Sequence, residues 1–145
     1  MTPDAYIDKL GLTPHSEGGY YRQTWHCKGN GRPKGTSIYL LLLKGQRTRW
    51  HMLDVSELWH YYAGAPLLLM ISPTRYGPLR QKLLGADVTQ DQYPQQTVAP
   101  RNWQCAESIG DFTLAGCTMA PGFQFENCTL APDHFFVTGE HQLQL

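Results

Sequence analysis

The run Gly45-Gln-Arg-Thr-Arg-Trp-His51-Met-Leu-Asp-Val-Ser-Glu57-Leu-Trp-His60-Tyr-Tyr-Ala-Gly64 sets two short β-like segments, Arg47 to Leu53 and Glu57 to Tyr62, between turns at Lys44-Gly45 and Gly64-Ala65-Pro66. Strand side chains alternate between faces, so a His51 turned inward carries Arg47, Arg49 and Leu53 with it. A Glu57 turned inward carries Trp59 and Tyr61. His60 and Tyr62 then point to the opposite face, where His60 reads as a structural hydrogen-bonding group; a bulge at Glu57 would reverse this.

Outward from this stretch, Tyr20 to Trp25, Thr36 to Leu43, Pro66 to Ser72, Phe112 to Met119 and Phe123 to Leu130 share the length and the aromatic or branched content of strands. Gly29-Asn30-Gly31, Ser72-Pro73 and Ala120-Pro121-Gly122 separate them with turn chemistry. Such spacing predicts a sandwich or barrel. The polar region Tyr76 to Gln96 fits a hairpin or a pocket-covering loop equally, and Gln95 to Gln104 reads as a barrel mouth rather than a buried strand. Ahead of the strands lies a helix signature: Thr2 as N-cap, Pro3 at the first helical position, Asp4 near the positive dipole end and Gly11 at the left-handed C-terminal position.

At 145 residues the chain is read as one domain, residues 1–145, with a helix over 1–11 and a β core over 18–131. Charged residues are 17%, against roughly 25% in average domains, and the aromatics suffice for a core without staples. Lys plus Arg and Asp plus Glu are 12 each, so no net charge favours nucleic acid or an anionic membrane. The longest apolar runs, Ile38 to Leu43 and Pro66 to Ile71, are far short of the roughly 20 residues of a membrane span. No secretory signal opens the chain, and Cys27, Cys105, Cys117 and Cys128 form no CxxC pair, so reduced thiols and a cytoplasmic protein are expected.

Gly45, His51, Glu57 and Gly64 fall in register with the first motif of the cupin superfamily, which this stretch resembles. The likeness extends to His15-Ser-Glu-Gly-Gly-Tyr-Tyr-Arg-Gln-Thr24, Ser37-Ile-Tyr39 and Gly116-Cys-Thr-Met-Ala-Pro-Gly-Phe123, which are similar to a largely uncharacterised cupin family with an HPEGGYYRET-like opening and a GCTVAPGF-like ending. The resemblance implies an all-β fold, the cupin double-stranded β-helix or jelly-roll barrel, with a short N-terminal helix, usually as a homodimer. His51 and Glu57 would then project from adjacent strands into one cavity. In metal-binding relatives the second histidine of the motif is a ligand, and Leu53 stands there in this chain. In the second motif, Asn102 replaces a glycine and Cys105 a histidine. At most His51, Glu57 and Cys105 remain as metal ligands, so no cofactor is expected, a divalent metal being the alternative.

Candidate catalytic residues are His51, Glu57 and Tyr61; candidate ligand-binding residues are Arg49, Trp59, Trp103 and Gln104. Aromatic walls suit a sugar ring or planar base, Arg49 a carboxylate or phosphate, and His51 with Glu57 a proton transfer. The same residues also fit a plain core in which His51 and Glu57 satisfy each other or Arg49 pairs with Glu57. Three function classes follow: a metal-independent epimerase or isomerase with His51 as base and Tyr61 as acid; a non-enzymatic small-molecule-binding protein; and a metal-dependent oxygenase or hydrolase. The expected partners are a small polar ligand and a second copy of the chain.

Overall fold

The computed structural model describes residues 1–140. The domain expected over 1–145 includes residues 141–145, which lie outside the described ones. Helix α1 spans Pro3–Leu10; Thr2 Oγ1 accepts the Ala5 amide proton and Gly11 closes the helix at φ 64°. Twelve strands follow: β1 (Thr13–Pro14), β2 (Tyr20–Cys27), β3 (Gly35–Leu43), β4 (His51–Leu53), β5 (Glu57–Gly64), β6 (Leu67–Ser72), β7 (Arg80–Leu84), β8 (Gln92–Tyr93), β9 (Gln95–Val98), β10 (Trp103–Ser108), β11 (Phe112–Met119) and β12 (Cys128–Leu130).

They form two six-stranded sheets, ordered β1-β2-β3-β11-β5-β9 and β12-β4-β10-β6-β7-β8, antiparallel except for the β7–β8 pair. This is the jelly roll of the cupins. Strands distant in sequence become neighbours, as β11 pairs with both β3 and β5.

Alternation along each strand sorts the core. Leu40, Leu42, Trp59, Ala115 and Cys117 of the first sheet meet Leu67, Leu69, Ile71, Leu84 and Ala106 of the second. The outer face of the first sheet, with Leu41 and Leu114, is covered by Tyr6, Ile7 and Leu10 of α1. On the outer face of the second, Met70 and Cys105 pack with Trp50, Trp103, Phe135 and Val137. No helix among the described residues is long and apolar enough to cross a membrane.

Four strand readings change, the first being Arg47 to Leu53, of which only β4, His51–Leu53, is extended. Gln95 to Gln104 is not a mouth segment: it contains β9 and enters β10, where Gln104 is wholly buried. The ambiguous stretch 76–96 contributes β7 and β8, joined through a 3-10 turn at Val88–Gln90. Of Phe123 to Leu130 only β12 is extended, preceded by a 3-10 turn at Phe125–Asn127.

The glycines ending the decisive stretch differ in strictness. Both hold positive φ, 82° at Gly45 and 85° at Gly64. A Cβ on Gly45 would meet open space, whereas on Gly64 it would strike the Phe112 carbonyl oxygen and ring. Gly45→Ala should therefore cost about 1 kcal/mol, the left-handed strain alone. Gly64→Ala should cost about 2 kcal/mol or more, because backbone in the ladder must also move. Urea unfolding of the two variants measures the difference; equal losses would contradict the contact.

Candidate functional site

His51 on β4 lies directly opposite Gln104 on β10, so the two share the interior face. From the other sheet, the Trp59 indole donates to Gln104 Oε1 at 3.0 Å. An indole nitrogen is a donor only, which assigns the acceptor end of the amide to Trp59 and leaves its NH2 for another partner. That partner is Glu57, two residues before Trp59 on the same face of β5, whose charged form the Gln104 side chain favours by hydrogen bonding. Gln104 thus has His51 as its cross-strand neighbour and Glu57 as its hydrogen-bond partner.

Burial dominates the electrostatics. Glu57 is buried, and desolvation pushes its carboxyl up to about 8 against the opposing pull of Gln104, so the acid is protonated at neutral pH. Desolvation lowers the His51 imidazole below its usual value, partly offset by its Nδ1 lying 2.8 Å from the Arg49 carbonyl and by the charge of Glu17. The neighbouring Cys117 and Cys128 thiols are both pushed up by burial, Cys128 to about 11, and are poor nucleophiles at neutral pH.

The site also includes residues not expected from the sequence. The loop between β1 and β2 reaches the second sheet, where the Arg49 amide donates to the Glu17 carbonyl at 3.2 Å. This brings His15 and Glu17 to His51. His15 Nδ1 accepts the Glu17 amide proton at 3.0 Å, which puts the proton of a neutral ring on Nε2, and the ring packs edge-on to Tyr21 at 4.7 Å. The signal was the His15-Ser-Glu17-Gly18-Gly19 segment, whose glycines at φ 109° and 81° make the tight approach.

Four other candidates stand elsewhere. Tyr61 lies on the face of Glu57 but four residues along, about 13 Å at strand rise, and its hydroxyl donates to the Gly64 carbonyl at 2.6 Å. Trp103 and Cys105 flank Gln104 in sequence and so project from the opposite face of β10. Trp103 packs on Phe135 at 4.7 Å, while Cys105 donates to the Thr48 carbonyl and receives the Arg47 Nε–H. Arg49 donates through Nε to the Ala131 carbonyl at 2.7 Å, beyond the end of β12. His60 faces outward, its Nε2 3.1 Å from Thr118 Oγ1.

The donor set does not fit a cupin metal centre. Leu53 occupies a ligand position, and Cys105 is on the wrong face and bound to Arg47. Among the described residues no three His, Cys, Asp or Glu side chains converge as a metal-binding group. A groove of about 540 Å³ at the far edge, lined by Gln81, Lys82, Asp91, Tyr93, Gln95 and Gln96, lacks the buried acid and imidazole of the interior.

The family described as Cupin superfamily (DUF985) matches residues 4–131. No curated protein matches the chain. Among solved structures, a Shewanella oneidensis protein is 32% identical with a TM-score of 0.85, covering 90% of this chain and 85% of its own. A hypothetical protein from Leishmania major is 26% identical with a TM-score of 0.82, covering 90% and 88%. A dTDP sugar isomerase from Desulfovibrio desulfuricans shares the fold at 15% identity and a TM-score of 0.58, covering 89% and 92%.

Proposed function

We propose, since this chain belongs to the DUF985 family of the cupin superfamily, that its interior cluster binds a small polar molecule and moves a proton on it without a metal, as a sugar epimerase or isomerase does. The observation that carries this reading is that Gln104 neighbours both His51, its cross-strand partner, and Glu57, its hydrogen-bond partner, with burial lowering the imidazole and raising the carboxyl to about 8. His51 is then a free base at neutral pH and Glu57 an acid with its proton in place. In an isomerisation His51 takes the proton from the carbon beside a carbonyl, and Glu57 donates to the carbonyl oxygen as the enediol forms. Reprotonation of carbon from His51 and return of the hydroxyl proton to Glu57 close the cycle. Glu57 fills the acid's role assigned to Tyr61 from sequence. Trp59 supplies an aromatic wall and Gln104 fixes the geometry between the two proton carriers.

At 15% identity the dTDP sugar isomerase carries the fold alone, so nucleotide sugars are one arm of the test beside free sugars and small hydroxycarboxylates. Thermal unfolding with each compound finds the ligand, and proton NMR in heavy water finds turnover as deuterium entering a carbon position. The expected result is ligand stabilisation of the wild type that is lost in His51→Ala, with the ligand-free variant still folded. Undiminished stabilisation and exchange in His51→Ala would overturn the reading. On the family resemblance the working assembly is a homodimer in the cytoplasm, where its four thiols stay reduced; light scattering at micromolar protein checks the dimer.

A further inference from the structure

We propose that the outer face of the second sheet carries a separate binding site for a small carboxylic acid with a flat apolar body, formed where Arg49 and Trp50 meet the segment 131–135. A groove of about 330 Å³ lies there, within the range that small molecules fill, with Arg49, Trp50, Pro132, Asp133, His134 and Phe135 along it.

The first support is an unused donor. The Trp50 ring is buried, and its Nε1–H has no hydrogen-bond partner among the described residues. A buried N–H without an acceptor is a standing loss that an acceptor oxygen recovers. The Trp50 and Phe135 rings meet edge to face along the groove, 6.3 Å between centroids, with the N–H beneath its surface.

The second support is a cation that is positioned but not neutralised. The Arg49 Nε–H is fixed to the Ala131 carbonyl at 2.7 Å, which orients the guanidinium. Its only ion-pair partner among the described residues is Asp133, 3.9 Å away on a side chain that is 93% exposed, a pair too solvated to hold the charge. Arg47, beside it, is already engaged by Cys105 and by Glu140 at 3.2 Å, so Arg49 is the free end. A planar carboxylate matches the guanidinium fork, and the aromatic walls select a flat apolar remainder over a compact hydrated anion.

The test uses 15N-labelled protein, with the Trp50 indole signal identified by its disappearance in Trp50→Phe, and titrates benzoate and, separately, inorganic phosphate. Benzoate is expected to move the Trp50 signal saturably. Arg49→Gln should weaken that binding about tenfold, the loss of a charge-assisted contact. Asp133→Asn, at an exposed position where folding is not at stake, should tighten it severalfold by removing a competing carboxylate. An unmoved Trp50 signal, or equal benzoate affinity in all three proteins, overturns the site. Phosphate moving the signal as well as benzoate does overturns the ligand class.

Discussion

Glu57→Gln should make the protein more stable, by about 3 kcal/mol at pH 7, while removing the acid of the proposed reaction. Below pH 4.5 the wild-type carboxyl is protonated both folded and unfolded, and contributes no pH dependence. Between its ordinary value of 4.5 and the folded value of about 8, only the unfolded chain ionises. The folded state then binds the extra proton, so stability falls by about 1.4 kcal/mol per pH unit as pH rises through this window. Above pH 8 both states are ionised and the loss stops growing. Glutamine is neutral throughout, can still accept from Gln104 and fills the same volume. Urea unfolding at pH 5 and pH 8 measures the difference: the wild type should lose stability between the two while the variant holds level. Parallel slopes would mean that Glu57 is ionised inside the fold, and the acid's role would go with its proton.

Trp59→Ala should remove most of the folding free energy. The ring is fully buried between the sheets and its N–H is committed to Gln104. Truncating a buried tryptophan costs about 3–5 kcal/mol in lost transfer energy and cavity, and the unpaired Gln104 carbonyl adds about 1–3 kcal/mol. Domains of this size are stable by only about 5–15 kcal/mol, so a large unfolded population is expected at room temperature. Trp59→Phe, which keeps most of the volume and loses the hydrogen bond, should cost about 2 kcal/mol and stay folded. Urea midpoints of both variants check the pair; near-equal midpoints would mean that the cavity collapses and the hydrogen bond carries the effect.

The residues explain which parts of this structure could be read in advance. β3 and β11 were legible to within a residue because long apolar or alternating runs leave little choice of partner or face. β10 was not, since Gln104, Glu107 and Ser108 are buried polar residues whose place in a core depends on partners such as Trp59 and Thr113. Reading that stretch as a loop put Trp103 and Gln104 together at one mouth, whereas adjacent residues of a strand face opposite ways. The same parity gave His51, Glu57 and Trp59 correctly as one interior set. It failed for Arg47 and Arg49 because the backbone leaves the regular ladder before β4: the Thr48 amide donates to Ala106, and both guanidinium groups find acceptors outside the sandwich. His15 and Glu17 reach His51 through a tertiary loop crossing, of which the Gly18-Gly19 pair marks the turn but not the destination.

The place of β11 between β3 and β5 has a consequence for synthesis. In the first sheet the strand that joins the two halves, Phe112–Met119, is made after all the others. Until that strand leaves the ribosome, β3 and β5 each expose an unpaired edge rich in leucine or aromatic side chains, the kind of edge that pairs with other nascent chains. The order of translation therefore opposes the order of the sheet: four of its strands, β2, β3, β5 and β9, must wait for the keystone that joins them.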